Sequence, residues 1–297
     1  MSDLSVRVGG LRLKNPVIAA SGTFGFGEEY GELYDLSRLG AVCTKGLTLQ
    51  PREGNLPPRL WETPCGLLNS IGLQNPGVDA FLRDELPRMK EKELVVIANV
   101  WGETAAEYKE AVERLNDASV DAIELNVSCP NVPGDVIGAQ RTLTEEVMKA
   151  VRPICKKPLW VKLPPDADVG VAKVVEAEGA DAVCAINTIR GMAIDVATGR
   201  PVFHRGVAGL SGPAIKPIAL RAVYELSQTL AIPVVGIGGI TTWQDAVEFI
   251  MAGAHAVQIG TANFVNPRAG VQIAEEMEAF MKERKLKDWE AIRACAH

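Results

Sequence analysis

The chain has 297 residues, of which 47% are hydrophobic and 23% charged, and its formal net charge is −6. This composition is typical of a globular protein with a large apolar core, and the acidic balance disfavours a surface for nucleic acid or anionic lipid. The N-terminus lacks the pattern of a secretory signal, and no apolar run reaches the roughly 18 residues that span a bilayer. The sequence therefore predicts a cytoplasmic protein.

Short apolar runs with strand character alternate with helical patterns along the whole chain. Strands are predicted for residues 16–20, 41–45, 95–100, 122–128, 159–163, 182–188, 234–238 and 256–260. Helices are predicted for residues 77–90, 105–118, 144–155, 168–178, 215–230 and 242–252. Because the strands are continuously apolar, they should be buried on both faces, as in a parallel sheet. Eight strand–helix units in one series predict an α/β fold, a single-domain (β/α)8 TIM barrel.

Two connections in this series are longer than usual. One spans residues 46–76 and is rich in Pro, Gly and Asn, and the other spans residues 189–213. Long loops in a compact domain are usually functional. Both follow strands, so we expect them on the C-terminal face of the barrel, where the active sites of such barrels are built.

The last residues of each predicted strand should face the same site. These ends are rich in amides and include two lysines: Ser21-Gly22, Thr44-Lys45-Gly46, Asn99, Asn126-Val127-Ser128-Cys129, Lys162, Asn187-Thr188, Gly238-Gly239 and Gly260-Thr261. A carboxylate pair is missing, which disfavours glycoside hydrolysis. None of the three histidines follows a strand end directly, which disfavours a histidine triad. Glu124, inside its strand, is expected to be a buried polar partner.

The ends of the last two predicted strands favour a phosphate site. Their glycines let the backbone approach an anion, and a helix beginning near Thr241-Thr242 would supply free N–H groups. A phosphate site after strands seven and eight recurs in barrels of this kind. Lys162 ends an apolar strand, where burying an ammonium is costly without an anionic partner. Lys162 and Lys45 together therefore predict an anionic or electron-rich ligand.

Six cysteines are scattered along the chain without metal-binding spacing, so no metal site is predicted. Cys43 and Cys184 lie in apolar runs and should be core residues. Cys129 has a different context, because it stands at the end of a strand between Asn126 and Asn131. A thiol there can remove a proton while the amides hold a polar heterocycle.

Several segments, in this order along the chain, resemble the flavin-dependent dihydroorotate dehydrogenases. They are Thr44-Lys45-Gly46, Pro51-Arg52-Glu53-Gly54-Asn55, Leu68-Asn69-Ser70-Ile71-Gly72-Leu73-Gln74-Asn75-Pro76-Gly77, Asn126-Val127-Ser128-Cys129-Pro130-Asn131, Asn187-Thr188-Ile189-Arg190-Gly191-Met192, Gly209-Leu210-Ser211-Gly212-Pro213-Ala214 and Gly236-Ile237-Gly238-Gly239-Ile240. The resemblance covers essentially the whole chain. It implies that residues 1–297 form one FMN-binding barrel that oxidises dihydroorotate to orotate in the biosynthesis of UMP.

The same resemblance implies roles for individual residues. Cys129 would remove a proton from C5 of dihydroorotate while a hydride leaves C6 for the flavin, and Lys162 would lie at the N1/O2 edge of the flavin. The implied substrate-binding residues are Lys45, Asn69, Ser70, Ile71, Gly72, Leu73, Asn126, Asn187 and Thr188. The implied FMN-binding residues are Ser21, Lys45, Gly46, Asn99, Asn126, Lys162, Ile186, Gly212, Gly238, Gly239, Gly260 and Thr261.

The resemblance also bears on the subclass. A cysteine base and a start almost directly at the first strand disfavour the membrane-bound, quinone-reducing class, which uses a serine base and an N-terminal helical extension. The segment that begins at Asn187 and ends at Asp195 resembles the NAD-linked type 1B. Its catalytic chain works with a second subunit that carries FAD and a [2Fe–2S] cluster, in a heterotetramer of two plus two. This chain has no cysteine cluster for iron–sulfur, so those centres would come from the partner.

Three alternatives remain open. The segment Asn131-Val132-Pro133-Gly134-Asp135 resembles the fumarate-reducing type 1A homodimer instead. The tRNA-dihydrouridine synthases also combine a flavin barrel with a cysteine near an asparagine, but the acidic charge speaks against an RNA-binding surface. A flavin-binding module that has lost catalysis is disfavoured because Cys129, both lysines and the amides are all present.

Overall fold

The computed structural model describes residues 3–128, 137, 140–166 and 168–297. Its strands are β1 (Val6–Val8), β2 (Leu11–Leu13), β3 (Val17–Ala19), β4 (Ala41–Cys43), β5 (Leu60–Thr63), β6 (Gly66–Asn69), β7 (Val96–Val100), β8 (Ala122–Asn126), β9 (Leu159–Lys162), β10 (Ala182–Ala185), β11 (Ile189–Gly191), β12 (Ile194–Asp195), β13 (Arg200–Pro201), β14 (Ala208–Ser211), β15 (Val234–Ile237) and β16 (Ala256–Ile259). Its α-helices are α1 (Glu28–Gly31), α2 (Val78–Ala80), α3 (Leu86–Glu91), α4 (Ala105–Leu115), α5 (Arg141–Val151), α6 (Val169–Ala177), α7 (Lys216–Thr229), α8 (Trp243–Met251), α9 (Ala262–Val265) and α10 (Ala269–Glu283). A π-helical turn at Phe81–Glu85 joins α2 to α3.

Eight parallel strands close into a barrel. They follow one another in the order β3, β4, β7, β8, β9, β10, β15 and β16, and β16 pairs with β3 to complete the ring. The (β/α)8 prediction is therefore confirmed. The observed strands end up to three residues before the predicted ends, because the last residues of the apolar runs leave the ladder. Each of the six predicted helical ranges overlaps an observed helix, whereas α1, α9 and α10 were not predicted.

The inside of the barrel changes character along its axis. At the N-terminal end the β1–β2 hairpin closes the barrel, and its Val8 and Leu13 pack in one apolar cluster with Ile18, Ile97 and other inward-facing residues of the strands. The Trp160 indole N–H donates to the backbone oxygen of Gly9 in this hairpin at 3.1 Å. Polar side chains replace the apolar ones toward the C-terminal ends of the strands. The barrel thus has a sealed apolar base and a polar C-terminal end.

The two long connections form a sheet over the C-terminal face. This roof sheet consists of β5, β6, β11 and β14, all antiparallel, in the order β11-β14-β6-β5. Strand β6 comes from the first connection and β14 from the second, and they pair with Asn69 opposite Gly209. The sequence predicted the position of both connections but not their strands. Because the paired residues are 140 positions apart, no local pattern marks the pairing.

Within the described part of the chain, no helix combines the length and the apolar character that crossing a bilayer requires. The helices instead pack around the barrel, and the larger apolar core lies between them and the outward-facing residues of the strands. Strand-end side chains are therefore held between two packed cores, one inside the barrel and one around it.

Candidate active site

A cavity opens between the C-terminal end of the barrel and the roof sheet. It encloses about 1250 Å³, including its mouth. Most of the residues predicted to bind substrate or cofactor line it: Ser21, Lys45, Gly46, Asn69, Ile71, Gly72, Leu73, Asn126, Lys162, Ile186, Asn187, Thr188, Gly212, Gly238, Gly239, Gly260 and Thr261. The fold thus brings residues from seven of the barrel strand ends and from the roof sheet to one place.

Three predicted site residues are not in this lining. Cys129 lies outside the described residues, as does the segment of residues 131–135. Ser70 is buried behind the wall, where its hydroxyl oxygen accepts a hydrogen bond from the Asn55 amide at 3.0 Å. Asn99 is also buried and contacts Asn126 from behind, accepting its amide N–H at 3.5 Å. Asn99 can therefore act on a ligand only through its neighbours.

An amide cluster joins the ends of β8 and β10. The Asn187 amide donates to Ser128 Oγ at 2.8 Å and to Asn126 Oδ1 at 3.3 Å. Ser128 Oγ in turn donates to Asn126 Oδ1 at 2.9 Å. The Tyr108 hydroxyl donates to the backbone oxygen of Asn126 at 2.8 Å. Because these groups already orient one another, the cluster is pre-organised to hydrogen-bond a polar heterocycle.

Lys162 is the last residue of β9 and its side chain is buried, with a relative exposure of 5%. Within the described residues its ammonium forms no hydrogen bond and no ion pair. Such burial excludes a lysine that merely extends to solvent. An ammonium without a partner is expensive to bury. The position is therefore suited to an anionic or electron-rich group of a ligand in the cavity.

The helix after β15 begins where the sequence predicts, and its first N–H groups are partly satisfied by its own cap. Asp245 Oδ2 accepts hydrogen bonds from the backbone N–H groups of Thr241 and Thr242, each at 2.9 Å, and Thr242 completes a capping box. Burial alone would raise the pKa of Asp245, but hydrogen bonds from Lys216 and the two threonines lower it to about 2. The predicted start of a helix near Thr241-Thr242 is therefore confirmed, but the N–H groups of these two threonines are not free, because the acidic residue three positions after the cap accepts both.

The backbone N–H groups suited to a phosphate lie just beside this cap. Those of Gly239, Gly260 and Thr261 form no hydrogen bond within the part of the chain that the structure describes. Gly239 has a φ of +71°, and a Cβ added there would lie 2.6 Å from the Cβ of Lys216. We call these three residues, Gly239, Gly260 and Thr261, the phosphate corner. The Thr261 hydroxyl donates to Ser211 Oγ at 2.8 Å, which connects the phosphate corner to the roof sheet. Converging N–H groups of this kind bind anions.

Glu124 is buried in the barrel, as the sequence predicted, and accepts hydrogen bonds from three strands. The donors are Cys43 Sγ at 3.3 Å, Asn99 Nδ2 at 2.6 Å and Gln258 Nε2 at 2.7 Å. Burial, and then the charge of Glu124, raise the pKa of Cys43 and of Cys184 well above its usual value. Neither thiol can therefore act as a base, since the thiolate is the reactive form. Both are buried core residues, as predicted.

Two polar residues that the sequence reasoning missed also line the cavity. Gln258 Oε1 and Thr23 Oγ1 are buried and have no hydrogen-bond partner among the described residues. A signal for Gln258 was present, because it is the one polar residue in the run Ala256-Val257-Gln258-Ile259 and lies two positions before Gly260. Buried polar atoms normally have partners, so both point to a ligand.

The fold and the cavity together define a class: a (β/α)8 barrel with a cavity at the C-terminal ends of its strands that is suited to a phosphate-bearing cofactor and a polar heterocycle. The dihydroorotate dehydrogenase family model matches residues 3–281. The chain belongs to the dihydroorotate dehydrogenase family, whose members are FMN-dependent oxidoreductases.

Individual relatives cover nearly the full length. The chain is 53% identical over 290 residues to the dihydroorotate dehydrogenase B (NAD(+)) catalytic subunit of Thermoanaerobacter pseudethanolicus, covering 96% of each chain. It is 50% identical over 297 residues to the protein of the same name from Petrotoga mobilis, covering 99% of each. A relative from Aquifex aeolicus, whose name assigns it to dihydroorotate dehydrogenase A (fumarate), is 50% identical over 302 residues and covers 99% of each.

Proposed function

We propose that this chain is the catalytic subunit of an NAD-linked dihydroorotate dehydrogenase, which oxidises dihydroorotate to orotate in the biosynthesis of UMP. Residues 1–297 form one FMN-binding barrel. The electrons then pass through FAD and a [2Fe–2S] cluster on a partner subunit to NAD, in an assembly of two chains of each kind. The observation that carries the proposal is the buried ammonium of Lys162, which lies in the same cavity as the amide cluster and the phosphate corner.

The cavity has features that suit FMN. The N–H groups of Gly239, Gly260 and Thr261 would hold its phosphate, with Gly238 beside them, and Lys162 would face the electron-rich edge of its ring. The unpaired oxygens Gln258 Oε1 and Thr23 Oγ1 offer acceptors for its donors. When bound, FMN supplies the hydride acceptor of the reaction. The other implied cofactor-binding residues, Ser21, Lys45, Gly46, Asn126, Ile186 and Gly212, line the same cavity.

The remaining polar residues suit the substrate. Dihydroorotate carries a carboxylate and a ring with two amide N–H groups. The ammonium of Lys45 can pair with that carboxylate, and the side chains of Asn69, Asn126 and Asn187 can pair with the ring amides. Ile71, Gly72, Leu73 and Thr188 complete this wall. Oxidation removes a proton from C5 and a hydride from C6, leaving a C5=C6 double bond.

Cys129 takes the proton from C5 in this proposal. The residue before it in the sequence, Ser128, is buried and hydrogen-bonded to both Asn126 and Asn187, the amides proposed to hold the substrate. Proton transfer by a positioned base contributes roughly 10²–10⁴-fold to such a reaction.

The electron acceptor is tested with the purified chain and with the complex. We expect the chain alone to contain FMN and to reduce NAD only after the partner subunit with its FAD and iron–sulfur cluster is added. The words "catalytic subunit" in the names of the relatives support a separate partner. Rapid turnover with fumarate by the chain alone would instead assign it to the fumarate-reducing type.

That second candidate has specific support. The segment Asn131-Val132-Pro133-Gly134-Asp135 resembles the fumarate-reducing type, and one relative at 50% identity is named for fumarate. Two relatives, from Thermoanaerobacter pseudethanolicus and Petrotoga mobilis, carry the NAD-linked name at 53% and 50% identity. The NAD-linked function is therefore the preferred one.

A further inference from the structure

Glu124 controls the orientation of the amide groups around it. Its Oε1 receives the Asn99 amide and the Cys43 thiol, and its Oε2 receives the Gln258 amide. Both carboxylate oxygens of Glu124 therefore act as acceptors. Each amide that meets one of them must present its NH2 group, and each amide oxygen is directed to the opposite side. The orientation of the Gln258 amide thus follows from the acceptor that it meets.

The amide oxygens of Asn99 and Gln258 differ in whether they meet a hydrogen-bond donor. Asn99 Oδ1 finds a protein donor, the amide of Asn126, at 3.5 Å. Gln258 Oε1 has no partner among the described residues, although Gln258 is only 1% exposed. Because Gln258 also lines the cavity, this unpaired oxygen belongs to the wall that would surround the cofactor. A buried carbonyl without a donor is destabilising, so a ligand that brings a donor has an advantage there.

We propose that Gln258 is a flavin-positioning residue, oriented by Glu124, whose Oε1 accepts a hydrogen bond from the N3–H or from the 2′-hydroxyl of bound FMN. This inference rests on the proposed FMN-binding function. Oxidised FMN has one ring N–H, at N3, and hydroxyl donors on its ribityl chain. Either donor satisfies the same acceptor, and cofactor analogues that lack one or the other distinguish them. Gln258 would then add to cofactor affinity without taking part in proton or hydride transfer.

The test measures cofactor binding to the apoprotein. FMN is removed from the wild-type chain and from Gln258→Met, and each is titrated with FMN, with N3-methyl-FMN and with 2′-deoxy-FMN while flavin fluorescence is followed. Methionine keeps the length of the side chain and lacks the acceptor. Gln272→Met, at an exposed position of α10, is the matched control.

Two results are expected. Gln258→Met should bind FMN roughly fivefold more weakly, as for the loss of one hydrogen bond, whereas Gln272→Met should match the wild type. In addition, the analogue that lacks the relevant donor should bind the wild type more weakly than FMN does. For Gln258→Met the difference between that analogue and FMN should be clearly smaller. This coupling would not arise if Gln258 only filled space, because a packing defect weakens all three ligands alike.

Other outcomes overturn the inference. The inference is wrong if, for each analogue, the loss of affinity relative to FMN is the same in the wild type and in Gln258→Met. It is also wrong if neither analogue binds the wild type more weakly than FMN does. Should Gln258→Met fail to fold, Glu124→Gln replaces it, since a glutamine at 124 offers an NH2 group and lets Gln258 turn round. The same coupling is then expected. A wild-type chain that binds no FMN at all would reject the proposed function instead.

Discussion

Asn126 and Lys162 lie opposite each other in the parallel ladder between β8 and β9, each as the last residue of its strand. This register places the buried ammonium beside the amide cluster of Asn126, Ser128 and Asn187. A cation for an electron-rich cofactor and amides for a polar heterocycle therefore come from adjacent strands. Cofactor and substrate would meet at this point of the barrel.

Replacing Lys162 should weaken the binding of FMN but stabilise the apoprotein. In Lys162→Met the apoprotein no longer buries an unpaired charge, so its free energy of unfolding should rise by on the order of 1 kcal/mol. The affinity for FMN should fall about tenfold, because a charge-assisted contact is lost. Urea unfolding of the apoprotein and FMN titration measure the two effects. The exposed Lys173→Met is the control and should change neither. A variant that binds FMN normally would remove Lys162 from the cofactor site.

Replacing Cys129 should affect turnover and not the cofactor. Cys129→Ala should retain FMN and lose roughly 10²–10⁴-fold in the rate at which dihydroorotate reduces it, since the base is missing. Rapid-mixing absorbance under nitrogen measures that rate. Cys65→Ala, which removes an exposed thiol near the roof sheet, should react like the wild type. If Cys129→Ala reacts at the wild-type rate, another group is the base.

Comparing alanine substitutions at Gly239 and Gly199 separates the cost of backbone strain from the cost of a steric clash at the phosphate corner. Gly239 and Gly199 have similar φ angles, +71° and +67°, but an added Cβ meets Lys216 at 2.6 Å in the first case and nothing within 4 Å in the second. Gly199→Ala should cost about 1 kcal/mol of stability. Gly239→Ala should cost roughly 2 kcal/mol more, from overpacking, and should also weaken FMN binding.

Urea unfolding and FMN titration of both glycine variants test this prediction. Equal losses of stability would mean that α7 moves away from position 239 without cost. Unchanged FMN affinity in a folded Gly239→Ala would show that the phosphate does not bind at this corner.

His255 should make the fold sensitive to mild acid. Burial, and then the charge of Arg293, lower its pKa to about 4 in the folded chain. The unfolded chain takes up the proton near pH 6.5. The stability that comes from keeping His255 neutral is therefore fully present above about pH 6.5. It is lost as the pH falls toward 4, because the unfolded state binds the proton first. Between about pH 7.5 and about pH 5 the loss should be about 2 kcal/mol.

Urea unfolding at both pH values tests the histidine. His255→Gln should lose about 2 kcal/mol less than the wild type over that interval, while His204→Gln, at an exposed position, should follow the wild type. The same pH dependence in His255→Gln would assign the effect to other groups.

The parts of the structure that the sequence could predict are those with local signals. Continuously apolar strands predict the barrel, and a lysine ending such a strand predicts the cation at position 162. The roof sheet could not be predicted, because β6 and β14 pair across 140 residues and neither has a periodic pattern. The hydrogen bonds of the Thr241 and Thr242 N–H groups could also have been predicted, since Thr242 and Asp245 have the spacing of a capping box. Gln258 was missed because its importance depends on Glu124, which lies on another strand.

The most direct test of the central claim is the reduction of the bound flavin by dihydroorotate. The chain is purified alone, and dihydroorotate is added under nitrogen while the flavin absorbance is recorded. The proposed function predicts that the flavin bleaches and that orotate appears in equal amount. Flavin that stays oxidised with dihydroorotate, yet bleaches with dithionite, would contradict it.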